Sequence, residues 1–90
     1  MSSRAMMADL EELSNFITRL QQFNNELSES ASDISSNFSS LGSTWQDAQY
    51  SRFAEGWEQA LQTIRNYLNS APEYVTHLQT KARQIAEYLE

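Results

Sequence analysis

Apolar residues recur at strict seven-residue intervals in both halves of this chain, and that period constrains the fold more than any other feature. Met6, Leu13, Leu20, Leu27, Ile34 and Leu41 form one ladder; Tyr50, Trp57, Ile64, Ala71, Leu78 and Ile85 form the other. A seven-residue apolar repeat keeps one face of a helix turned toward a neighbouring helix along its whole length. The only paired stop and start signals lie between the ladders, at Leu41-Gly42-Ser43-Thr44-Trp45. The expected fold is therefore all-α: two long helices folded back on each other as an antiparallel hairpin.

The boundaries follow from local chemistry. The first helix is expected over about 5–41, with a second apolar column at Leu10, Ile17, Ala31 and Phe38, interrupted by Asn24, and a third holding Phe16 and Phe23. Seven serines between Ser28 and Ser40 give that stretch the composition of a linker, because serine competes with the helix for backbone hydrogen bonds. Leu27, Ile34, Phe38 and Leu41 nevertheless stay in register through it. The stretch is read as a weak helix, its serines solvating one face or letting a second helix approach closely. Gly42 suits the left-handed residue after a helix end, within a turn at 42–44. Ser43 with Gln46, or Thr44 with Asp47, is placed to cap the next helix.

The second helix is expected over about 45–89. Its ladder is flanked by Ala54, Leu61, Leu68, Val75, Ala82 and Leu89, and by a further column of Phe53, Ala60, Tyr67, Tyr74, Lys81 and Tyr88. Three adjacent columns cover roughly 100° of helix surface, the width suited to a bundle rather than to one neighbour. Two hairpins packed as a four-helix bundle would cover it. Leu13, Leu20, Leu27, Ile34, Trp57, Leu61, Ile64, Leu68, Val75, Leu78 and Ile85 are assigned to this core or dimer seam. Pro72 interrupts the pattern, since an interior proline removes a donor at a cost of about 3 kcal/mol. The ladder continues past it without a phase shift, so a helix kinked near residue 72 is expected rather than two helices joined by a loop. Gly56 also weakens the helix, either as a tolerated surface glycine or as a point of close approach.

Size and charge limit the functions available. Ninety residues make one small domain, 1–90, near the size at which a partner or second copy commonly completes the core. Twelve acidic residues against six basic ones give a net charge of −6, unsuited to binding nucleic acid. No stretch approaches the roughly 20 apolar residues of a membrane span. The N-terminus reaches Asp9, Glu11 and Glu12 before any apolar run of signal-peptide length, so export would use a leaderless route.

Catalysis finds little to work with. There is no cysteine, one histidine and no glycine-rich phosphate loop, since Gly42 and Gly56 are the only glycines. His77, with Glu73 four residues before it and Lys81 four after, reads as part of a solvated helix face. No catalytic, metal or cofactor site is expected, and the chain is not read as an enzyme.

The aromatic residues carry more. Trp45, Tyr50, Phe53 and Trp57 crowd the start of the second helix, and tryptophan and tyrosine anchor interfaces because they bury much area for little rotamer entropy. Trp45, Asp47, Tyr50 and Phe53 are the candidate partner-binding residues; Tyr67, Tyr74 and Tyr88 are assigned to a dimer seam.

With a tryptophan in the turn between two helices, the chain resembles the WXG-type family of helical hairpins associated with type VII secretion. The likeness rests on Leu41-Gly42-Ser43-Thr44-Trp45-Gln46-Asp47-Ala48, then Phe53, Trp57, Leu61, Ile64 and Leu68, the first helix agreeing in length and pattern. It implies a dimer of hairpins, secretion or association with secreted partners, and no catalytic activity. Two features depart from the family pattern. Asp47 stands where the family has the glycine two places after tryptophan, and its charge suits the positive N-terminal end of a helix. The family's export signal, tyrosine followed four places later by Asp or Glu, is not present: Tyr50, Tyr67 and Tyr74 are followed at that spacing by Ala54, Ala71 and Leu78, and only two residues follow Tyr88.

The expected function is a non-enzymatic protein-interaction module, made in the cytoplasm and secreted without a cleaved signal peptide. Its partners would be itself, as a homodimer, or a related hairpin, together with a larger secreted protein or the secretion machinery. The competing reading is a cytoplasmic adaptor or chaperone whose apolar face covers a helix of a larger effector.

Overall fold

A computed structural model of the chain describes residues 3–89; Met1, Ser2 and Glu90 of the expected 1–90 domain lie outside the described residues. It contains two helices, α1 over Ser3–Leu41 and α2 over Ala48–Leu89, and no strand among the described residues. The serine-rich stretch is helical throughout. Periodic apolar contacts outweigh the weak intrinsic preference of serine, as expected where tertiary packing supplies most of a helix's stability. α2 runs through Pro72 without interruption.

The chain forms two compact units. One contains residues 25–69: the second half of α1, the turn and the first half of α2. Its buried apolar side chains are Ala31 and Leu61. Leu27, Trp57, Ile64 and Leu68 are half-buried around them, while Ile34 and Leu41 are exposed. The seam of α1 is thus centred on the Ala31–Phe38 column rather than on the Ile34–Leu41 ladder, which lies to one side. Small residues make this possible, because Ala31 and the adjacent serines let α2 approach closely. Ser28, Ser32, Ser35 and Ser39 line a groove with Leu61, Ile64 and Leu68, and the Ser35 hydroxyl oxygen is buried there without a hydrogen-bond partner.

Among the described residues, the other unit joins 3–24 to 70–89. Ile17, Ala71 and Val75 are its buried apolar residues, flanked by half-buried Leu10, Leu13, Leu20, Leu78 and Ile85. Phe16, Phe23, Tyr74 and Tyr88 are exposed. No described side chain in either unit is below 2% exposure. Each unit therefore buries a single line of contacts, as two packed helices must.

The turn differs from expectation in three ways. Gly42 does not adopt a positive φ. The chain keeps a right-handed course past Leu41, with Gly42 N–H donating to the Phe38 carbonyl at 3.1 Å and Trp45 N–H to the Leu41 carbonyl at 2.9 Å. Ser43 and Thr44 do not cap α2. Their hydroxyls turn back and donate to the Ser40 and Leu41 carbonyls at 2.7 and 3.1 Å, adding to the backbone N–H bonds that these carbonyls already accept from Ser43, Thr44 and Trp45. Accordingly α2 starts at Ala48 rather than about residue 45, and the connection spans 42–47 rather than 42–44. The residue that fixes this start is Asp47. Its Oδ1 accepts the backbone N–H of Gln49 at 2.9 Å and of Tyr50 at 3.1 Å, the two donors an N-cap satisfies.

A candidate recognition surface at the turn

Four aromatic side chains meet at the turn. The Phe38 and Tyr50 rings stack at a centroid distance of 4.8 Å, within 5° of parallel. Phe53 tilts against Phe38 at 5.3 Å, and Trp45 meets Tyr50 edge to face at 5.4 Å. Both arrangements suit the quadrupole of aromatic rings. Phe38 supplies the only ring from α1; the other three come from the turn and the first turns of α2.

Gly42 makes the stack possible. A Cβ at this position would collide with the Tyr50 hydroxyl and lie 2.9 Å from Tyr50 Cζ, inside any permitted contact. The glycine is needed for close approach of a ring, not for an unusual backbone angle.

Asp47 holds the arrangement from the other side. Its carboxyl lies below the usual carboxylate range chiefly because the Trp45 side chain donates a hydrogen bond to it, and next because Tyr50 N–H does. Slight desolvation opposes these, and Gln49 N–H adds to them. The indole N–H is a donor only, and the carboxylate two residues on offers it an acceptor. One side chain therefore caps α2 and places a negative charge at the positive helix end.

Of the candidate partner-binding residues, Trp45 and Tyr50 are half-buried, Phe53 is 56% exposed and Asp47 is exposed. All four belong to this one cluster. Trp57 is half-buried and stands apart from it, in the seam. Sequence reasoning placed Phe38 in the second column of α1 without assigning it to the site. The signal was the glycine four residues after it, which clears space for a ring. His77 is exposed on α2 beside Pro72, Glu73, Thr76 and Thr80. Among the described residues, no group of three or more His, Cys, Asp and Glu is placed to hold a metal ion. No described helix is long and apolar enough to cross a membrane.

No curated protein and no solved structure matches the chain. A family model does: WXG100, described as proteins of 100 residues with WXG, matches residues 5–89. That span takes in both helices, the turn tryptophan and the aromatic cluster built around it, and the chain belongs to the WXG100 family, small non-enzymatic helical hairpins associated with type VII secretion.

Proposed function

We propose that this chain is a non-enzymatic interaction module that pairs with another helical hairpin and is exported with it as a folded, leaderless substrate or co-secreted partner. The observation that carries this reading is the cluster of Phe38, Trp45, Tyr50 and Phe53, ordered by Asp47 and Gly42 yet left partly open to solvent. Packing within two helices leaves part of each ring uncovered, and it is this uncovered part that a partner can meet. Rings pre-positioned at a surface bind a partner with little ordering cost.

Tyr50, Tyr67 and Tyr74 are followed four places later by Ala54, Ala71 and Leu78. In this reading the paired chain carries an export signal of its own, and the turn surface is read by that chain, by a larger secreted protein or by the machinery.

The test compares Trp45→Ala with the parent in cells of the source organism. Circular dichroism should remain helical while co-purification with the partner, and recovery from the medium, are lost. Unchanged partner capture and export by a folded Trp45→Ala protein would defeat the reading.

A further inference from the structure

Asp47 is the only charged residue between Asp33 and Arg52. It is exposed, and among the described residues no lysine or arginine forms an ion pair with its carboxylate. Arg52, the nearest cation in sequence, lies two residues past Tyr50, about 200° round α2 and so on the opposite side of the helix.

The backbone adds to this field. α1 ends at Leu41 with its negative pole at the turn and no basic residue in its last turn, a place where a cation is favoured. The positive pole of α2, about half a charge, is more than matched by the full charge of Asp47 at its first N–H groups. The turn is thus a negative site that no described side chain neutralises.

A ring face stands beside the carboxylate. Trp45 is half-buried and precedes Asp47 by two residues. Its ring meets Tyr50 at 79°, and two rings at that angle engage at most one face of either. No second ring packs on the indole among the described residues, so at least one of its faces has no ring against it. Tyr50 ties the two features together, its ring against Trp45 and its backbone N–H on Asp47 Oδ1 at 3.1 Å. A carboxylate has about four acceptor sites. Gln49 N–H, Tyr50 N–H and the Trp45 side chain use three of them, which leaves room for a donor from outside.

These features select the ligand. Tryptophan attracts cations more strongly than the other aromatic rings. A guanidinium is planar, so it stacks on a ring while an edge N–H reaches a carboxylate; an ammonium is a point charge without that shape. An apolar side chain would cover the indole and leave the charge unanswered.

We propose that the turn binds an arginine side chain of a partner chain, its guanidinium stacked on the open face of Trp45 and donating to the Asp47 carboxylate. The inference rests on the interaction-module reading and deepens it, naming the chemical group that the turn recognises.

The experiment titrates the isotope-labelled full chain with N-acetylarginine amide, and separately with N-acetylcitrulline amide, which has the same shape without the charge. Nuclear magnetic resonance follows the two indole N–H signals and the backbone amides at constant ionic strength. Arginine should shift the Trp45 indole and the Gln49 and Tyr50 amides saturably, with the Trp57 indole unmoved, and citrulline should bind at least about tenfold more weakly. Asp47→Asn, which keeps an acceptor for the cap and so the fold, should bring arginine down to the level of citrulline. Equal binding of the two probes, an arginine response unchanged in Asp47→Asn, or shifts centred on Trp57 overturns the inference. Those outcomes leave the interaction-module reading standing, since it falls separately, through the Trp45→Ala test of capture and export.

Discussion

Gly42 and Gly56 are the same residue type inside one unit, and their surroundings predict opposite effects of the same substitution. A methyl group at position 42 would push the Tyr50 ring off Phe38. Overpacking of a close contact typically costs about 1–3 kcal/mol, so Gly42→Ala should lower the melting temperature. At position 56 the methyl group enters open space in a helix interior, so Gly56→Ala should stabilise the isolated chain by up to about 1 kcal/mol. Thermal melts of the two variants check both signs at once. Asp47 offers a third residue-level test. Its carboxyl titrates below the usual range, so the stability it contributes is complete above the ordinary carboxylate pKa of about 4 and is lost as pH falls through its lowered folded value. The parent should lose melting temperature over that acid interval, and Asp47→Asn, which keeps an acceptor for the cap, should lose less. Matching acid profiles for the two proteins would remove the carboxylate from the account.

At the scale of the elements, the helices were legible in the sequence because the seven-residue period is repeated in both of them, and a repeated signal survives local exceptions such as Asn24, the serines and Pro72. The turn was less legible, since its hydrogen bonds depend on which of several equivalent groups wins. Ser43, Thr44 and Asp47 are all good cap residues. A backbone that stays right-handed after Leu41 directs the two hydroxyls to α1 and leaves α2 to Asp47. Which column of a ladder is buried was likewise hidden, because Ala31 looks weaker than Ile34 until the helices approach closely enough to favour the smaller side chain. Two substitutions separate the roles within α2. Leu61 is among the buried residues, so Leu61→Ala should cost about 2–5 kcal/mol. Trp57 is half-buried, so Trp57→Ala should fall at or below the lower end of the usual range, about 3 kcal/mol. Denaturant titration at constant m-value ranks them, and an equal or larger loss for Trp57→Ala would mean that the tryptophan, not the leucine, anchors the seam.

For the whole molecule the decisive quantity is how little each helix pair encloses. Ile17, Ala71 and Val75 are buried in one unit and Ala31 and Leu61 in the other, whereas Phe16, Phe23, Tyr74 and Tyr88 stay exposed in the first and Ile34, Leu41 and Phe53 in the second. Two helices offer one line of contact, and the columns beside that line need something else to cover them. The partner proposed above would stabilise such a chain by mass action, in proportion to the logarithm of partner concentration over Kd. The expected outcome is a protein whose isolated melting temperature is low and rises with added partner, by an amount equivalent to about 2.7 kcal/mol when the partner stands at 100 times Kd. Phe53→Ala should leave the isolated melt almost unchanged, since a ring 56% exposed contributes little to the protomer, and should shrink the partner-induced rise. Calorimetry of parent and variant, each with and without the co-purified partner, measures all four quantities. If Phe53→Ala instead lowered the isolated melt and left the partner-induced rise intact, the aromatic cluster would be holding the turn together, and recognition would lie on another surface.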